Sequence, residues 1–464
     1  MEKLARYLNP QEAQDWLREL GNDLGASEFA QIRNLDYVFS PGELYPLAPH
    51  AEVPLPRITA FAVDMDGTST TTEPLALHSL EYMVRRFTGR LDKTQWAGLD
   101  ETLDYPYVIG NSNFRHTEFL IQRYRDHIDH DAFARAFIEA VCWTLACMTD
   151  EQRRRDITQN ARNCGLGDIL HDPDFRRLAE SGTIDADNVA DRADGVVRKY
   201  APAFTPPHDT ERVAAALDIY YMRYHSILRQ LERGQGERLA QELLGDSGRH
   251  LVEPMPGYDV FIPLVKGWLG PEIDSLYEPL REDLLSHEQL GHTAAELDAL
   301  RPRLTRLADR FRAAPAKLGL VTASIAYETH ACMKEVIRLM AERVLHWPVL
   351  SQIRDRLAEN LADYRAVFDG FACASDTWEA RLKPHRDLYT LALFQMSVPK
   401  SEYHHVVGLE DTEPGIIALR AAGVGCAVAL PNRDTRRQDY TVATQIVTGG
   451  LPELILVHNL LLAE

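Results

Sequence analysis

Ile58-Thr59-Ala60-Phe61-Ala62-Val63-Asp64-Met65-Asp66-Gly67-Thr68-Ser69 is the stretch on which the reading of this chain turns. Residues 58–63 form an apolar run of the length expected for a short buried strand. At its end stand two carboxylates two residues apart, followed by Gly67, which lets the backbone turn tightly as the strand stops. Such a pair can divide one reaction between them. Asp64 can act as a nucleophile toward phosphorus, so that phosphoester cleavage becomes two easier steps. Asp66 can donate a proton to the departing oxygen and take one back from water.

Three later segments supply further parts in order. Leu318-Gly319-Leu320-Val321-Thr322-Ala323-Ser324 reads as a strand ending in a hydroxyl residue; Lys383-Pro384-His385-Arg386-Asp387-Leu388-Tyr389 and Val407-Gly408-Leu409-Glu410-Asp411-Thr412 follow, with the helix-like Pro414 to Gly423 after them. With Asp64-x-Asp66-Gly67-Thr68 they resemble the four motifs of the haloacid-dehalogenase-like superfamily, in the branch that carries an α-helical cap. In the third motif Leu382 replaces the family's Gly and Arg386 its second Pro, so Lys383 is the expected cation and Lys400 the alternative. Asp439, in a Gln-Asp-Tyr context, is similar to the family's closing loop. The likeness covers residues 55–75 and about 250–464, and leaves 1–50 outside it.

The resemblance implies a Rossmann-like α/β core: a parallel sheet with a large inserted helical cap. It implies Asp64, Asp66, Thr322 and Lys383 as the catalytic set. It further implies Thr68, Ala323 and Ser324 as substrate contacts. Mg²⁺ would be held by Asp64, the backbone carbonyl of Asp66, Asp411 and Glu410. Dehalogenase relatives lack the second Asp, so Asp66 favours phosphoryl transfer.

The rest of the chain sets bounds. Its 464 residues suggest two to three domains, and 45% hydrophobic with 26% charged residues is an ordinary globular balance. A net charge of −19 argues against nucleic acid or an anionic membrane as partner. An anionic substrate then needs a metal ion and a few placed cations. Cysteines 142, 147, 164, 332, 373 and 426 lack metal-ligand spacing and read as reduced, mostly buried thiols. Met1-Glu2-Lys3-Leu4-Ala5 does not open a signal sequence, and Leu454–Leu462 is interrupted by His458 and Asn459, so a cytoplasmic protein is expected.

Strand-like runs occur at 58–63, 317–322, 370–375, 404–410, 425–430 and 444–448, mostly with helical segments between them. Ligands of such sheets bind beyond the carboxyl ends of the strands. Residues 1–54 read as a helical extension and linker, with Asn9 capping, Pro10 in the first turn, Gly21 ending the helix, and a Pro-rich linker from Pro41 to Pro56. Residues 55–74 and 251–464 form the core, with helical insertions at about 270–312 and 335–365, and 75–250 the cap.

Three cap features have two readings each. In Ile109-Gly110-Asn111-Ser112-Asn113-Phe114-Arg115-His116, Arg115 could grip a second anionic group of the substrate, or begin a helix in solvent. Asp126 to Asp131 could bind a metal but reads better as a polar helix end. Arg153-Arg154-Arg155 could bind anions but, beside Glu151 and Asp156, reads better as a solvated face. The expected activity is Mg²⁺-dependent hydrolysis of a small phosphorylated metabolite. A phosphomutase similar to beta-phosphoglucomutase and a binding scaffold on a retained core are the alternatives. The extension could serve a homodimer, in which case deleting 1–50 should change mass in solution and spare turnover.

Overall fold

The computed structural model describes residues 9–24, 26–33, 42–109, 112–185, 188–286, 290–376 and 381–462. Met1–Ala5, Pro41, Gly110 and Asn111 lie outside these. The chain divides into two compact units. The core unit comprises 1–69, 254–325 and 337–464; the helical unit comprises 70–253 and 326–336.

In the core unit, β1 (Phe29–Arg33) and β2 (Gly42–Pro46) form an antiparallel pair. A six-stranded sheet follows from β3 (Ala60–Asp64), β4 (Lys317–Val321), β5 (Gly370–Ala372), β6 (Val406–Glu410), β7 (Cys426–Ala429) and β8 (Gln445–Ile446). Its order is β5-β4-β3-β6-β7-β8 with every pairing parallel, a Rossmann-like α/β sheet. A strand covered on both faces needs apolar residues without alternation, and all five residues of β3 are buried. Leu388, Tyr389, Ala392, Leu393 and Met396 pack on one face, Ile416 and Leu419 join the same cluster, and Phe261 and Phe311 meet Phe61.

Register decides where the chemistry collects. Asp64 pairs with Val321, and Val63 with Leu409, so Asp64 stands level with Glu410 while Thr322 follows one residue beyond. Met65 N–H donates to Val321 and Thr322 N–H to Ala372, at 3.1 and 2.9 Å, so neighbouring strands stop in step.

The N-terminal segment departs from expectation twice. The first helix is Pro10–Leu24 and runs through Gly21; Asn9 caps it, its side chain accepting from Glu12 N–H while Glu12 accepts from Asn9 N–H. The expected linker instead contributes β2, and the chain beyond it is fixed to the core. Ala48 N–H donates to Arg420 and Ala51 N–H to Gly425, at 3.0 and 2.9 Å. Composition alone had suggested a linker because of its prolines; Pro46 is the last residue of β2, an end position where a strand tolerates it.

The helical unit is built on Asp209–Glu232, which packs against Glu73–Thr88, Asn113–Arg123 and His130–Cys147. The beginning of helix Ala326–Leu345 joins this unit through a buried His225–Glu328 pair at 2.8 Å. Arg153 corrects the solvated reading of its triplet: it is buried, its guanidinium 2.5 Å from Asp218 and lying over the Tyr221 ring. Arg154 caps the carbonyls of Leu145 and Met148. Asp129 caps helix His130–Cys147, the polar helix end expected there. No described helix is long and apolar enough to cross a membrane.

Candidate active site

Asp64 ends β3 with its carboxylate buried, and one oxygen accepts from Lys383 Nζ. Lys383 also donates to Glu410 Oε1 at 2.6 Å. Burial opposes a charge on Lys383, but Asp64 and Glu410 outweigh it and raise its pKa, so it stays an ammonium. Burial, then Glu410, push the Asp64 carboxyl well above the usual carboxylate range, against the pull of Lys383. Lys400, the alternative cation, lies in the short helix Lys400–His405 and is exposed.

Asp66, two residues on, is half-buried, and its Oδ2 accepts from Thr322 Oγ1 at 3.0 Å and Ser324 Oγ at 3.2 Å. Ser324 N–H donates to Thr322 Oγ1 at 2.9 Å, which orients that hydroxyl toward Asp66. Ala323 lies between them, half-buried. Gly67 has φ +79°, and a Cβ there would collide with the Asp411 carboxylate, so the turn and the fourth motif fit only around glycine.

Asp411 is fully buried. Its Oδ1 accepts from Thr68 Oγ1 and its Oδ2 from Asn432 Nδ2, each at 2.9 Å. Glu410 is held more completely. Lys383 and Tyr389 (2.9 Å) donate to Oε1, while Thr412 N–H (3.0 Å) and Oγ1 (2.9 Å) donate to Oε2. A Cβ on Gly415 would collide with this carboxylate, which is why the following helix brings a glycine against it. Ligand oxygens of Asp64, Glu410 and Asp411 all lie within 4.8 Å of one another. Three buried carboxylates thus cluster, two of them on the Lys383 ammonium, with the half-buried Asp66 beside Asp64. This excess of buried negative charge is what a divalent cation would balance.

Arg115 lies in the helical unit, in helix Asn113–Arg123, paired with Glu118 at 2.9 Å. Asp439 does not reach Asp411: it is exposed and closes a local turn on Thr441. Its neighbour Tyr440 instead donates to the Asp411 carbonyl. Sequence reasoning passed over Asn432, Tyr389 and Thr412. Asn432 follows β7 within three residues, so the strand-end rule could have found it. Its Oδ1 accepts from Asp434 and Thr435 N–H at 2.8 and 3.1 Å, which turns Nδ2 toward Asp411.

The parallel sheet, with Asp64 on an inner strand, thus gathers the four motif segments at one edge. No protein-family model and no curated protein matches the chain. Among solved structures it is similar to CbbY from Rhodobacter sphaeroides in complex with phosphate, at 15% identity and TM-score 0.38, over 86% of this chain and 96% of that one. A mutant of CbbY in complex with xylulose-(1,5)bisphosphate gives 14%, 0.39, 86% and 96%.

Proposed function

We propose that the chain is a Mg²⁺-dependent phosphohydrolase that acts on a small phosphorylated metabolite through an aspartyl-phosphate on Asp64. The observation that carries this reading is the division of labour between the two aspartates. Asp64 lies against a buried ammonium, whereas Asp66 is held by two hydroxyls and stays half-exposed.

In the first step an Asp64 carboxylate oxygen forms a bond to phosphorus as the ester P–O bond breaks. Asp66 gives its proton to the departing oxygen. In the second step water attacks phosphorus, Asp66 takes its proton, and the Asp64–phosphorus bond breaks to release inorganic phosphate. Lys383 offsets charge on Asp64 and the phosphoryl oxygens throughout. With substrate bound, the Thr322 and Ser324 hydroxyls would rotate from Asp66 to donate to those oxygens beside the Ala323 N–H, and Arg115 is carried as a candidate contact from the cap.

Asp64, Asp411 and the Asp66 carbonyl would hold Mg²⁺, which when bound screens repulsion between the nucleophile and an anionic substrate. Glu410 fits a different part. Its oxygens are already taken by Lys383, Tyr389 and Thr412, so its role in this reading is to fix the lysine.

The test is phosphate release from a panel of phosphomonoesters, with Mg²⁺ and with EDTA, for wild type and Asp64→Asn. Metal-dependent release that disappears in the variant is expected. Release that survives in Asp64→Asn would remove the covalent route, and turnover only with a bisphosphate primer would point to a mutase.

A further inference from the structure

Strand β2 ends beside the third motif. Glu43 Oε1 and Oε2 both accept from Arg381 Nη1, at 2.8 and 2.7 Å. Tyr45 donates its hydroxyl hydrogen to Glu43 at 2.8 Å, so His385 Nδ1, 3.1 Å from the same oxygen, is the donor in that pair. The Tyr45 and His385 rings meet edge-on with centroids 5.9 Å apart. Arg381 also closes the loop on itself, its N–H and Nε donating to Asp387 Oδ2 at 2.9 and 3.0 Å. Lys383 stands inside this clasp, midway between Arg381 and His385 in sequence.

The strand that grips the clasp is itself fixed. Leu47 N–H donates to the Glu28 carbonyl at 2.9 Å, and the fully buried Arg420 donates to Ala48 O at 3.0 Å and to Glu28 Oε2 at 2.7 Å. A lysine on a four-carbon stem has much rotamer freedom to lose, so Nζ stays between two carboxylates only if its backbone is held. We infer that the N-terminal hairpin belongs to the reaction's apparatus: Glu43 and Tyr45 are positioning residues that hold the Arg381–Asp387 loop so that Lys383 stays between Asp64 and Glu410. This rests on the reading of Asp64 as nucleophile, and it reverses the expectation that residues 1–50 are dispensable for turnover.

Removing those residues outright would also strip partners from buried Arg420, so point variants of the full chain are the cleaner test. Glu43→Ala is compared with Glu43→Gln and with Arg18→Gln, a control on the first helix. Three quantities are read: kcat and KM for p-nitrophenyl phosphate with Mg²⁺, the rate of reductive methylation of Lys383 by peptide mass spectrometry, and Tm. Misplacing a catalytic group by about 1 Å costs up to roughly 100-fold. Glu43→Ala should therefore lower kcat about 10- to 100-fold with KM nearly unchanged, and methylate faster at Lys383. Glu43→Gln should move both in the same direction by less, and serves alone if the alanine variant does not fold. Arg18→Gln should move neither.

A lower Tm with kcat and methylation unchanged would make the hairpin a structural strut and overturn the inference. So would a change in either kcat or methylation without the other. Wild type that releases no p-nitrophenol would sink the phosphohydrolase reading alone, and the methylation comparison would then decide whether β2 holds Lys383.

Discussion

Buried charge is arranged in opposite ways in the two units. In the helical unit it comes in pairs: Arg153 with Asp218, Arg86 with Glu139. At the sheet edge of the core unit, Asp64, Glu410 and Asp411 cluster, and Asp64 and Glu410 share Lys383. A buried charge without a partner is costly, so a fold keeps such an excess only where something else is to balance it. In the proposed reading, paired burial marks scaffold and the cluster of carboxylates marks the place of reaction.

Substitutions at the edge should cost activity and little stability. Asp64→Asn should reduce phosphate release to the level of the blank. Asp66→Asn should lose about 10² to 10⁴-fold, the usual worth of a positioned acid and base. Circular dichroism melts should show both variants folded, with Asp64→Asn at least as stable as metal-free wild type, because it removes a charge from a crowded buried site. In the helical unit the signs reverse. Asp218→Leu strands the Arg153 guanidinium and should destabilise by about 3–5 kcal/mol in denaturant titration. Adding Arg153→Met should restore most of that, since replacing both partners removes the stranded charge.

Mg²⁺ should separate the two kinds of charge as well. A ligand that binds only the folded state at about 100 times its Kd adds roughly 2.7 kcal/mol. Wild type should gain thermal stability of that order with Mg²⁺, Asp218→Leu should gain as much, and Asp411→Asn much less. The metal-free protein should also respond to pH with a defined sign. The folded-state pKa of Asp64 is raised, so this group's contribution is fullest below the unfolded carboxylate pKa, about 3.9. It is lost as pH climbs through the raised value. Metal-free Tm should therefore fall with rising pH across that window, more steeply in wild type than in Asp64→Asn. Lys383 adds a dependence only above the ordinary lysine range, since its pKa is also raised.

The sequence made the sheet and the motif edge legible because both rest on local rules. Apolar runs such as Ala60–Val63 and Val406–Leu409 mark buried strands, and parallel register then brings their last residues together. Strand ends proved shorter than the apolar runs, since Thr322 and Cys373 continue the pattern after pairing stops. What remained hidden depended on partners far away in the chain. Glu43 meets Arg381 across 338 positions and Arg153 meets Asp218 across 65, and neither partner is encoded near the other. Composition therefore read β2 as linker and Arg153 as solvated.

Asn432 tests the contrast at its finest grain, because it touches the charge excess with a neutral group. Its Nδ2 donates to Asp411 Oδ2 at 2.9 Å, beside the Gly67 carbonyl at 3.3 Å, while Thr68 serves the other oxygen. Asn432→Ala removes the amide donor from Asp411 Oδ2 and loosens its orientation, so the Mg²⁺ concentration for half-maximal turnover should rise about 10-fold, or about 1.4 kcal/mol. Saturating metal should restore kcat to near wild type, because the residues that move protons and phosphorus are untouched. Asn432→Asp adds a further carboxylate at the same place. If the edge is built around a missing positive charge, this variant should lose Tm without metal and recover it when Mg²⁺ is added. Recovery absent from Asn432→Asp, with Asn432→Ala unchanged in its metal requirement, would mean that the carboxylates at this edge are balanced by something other than a cation.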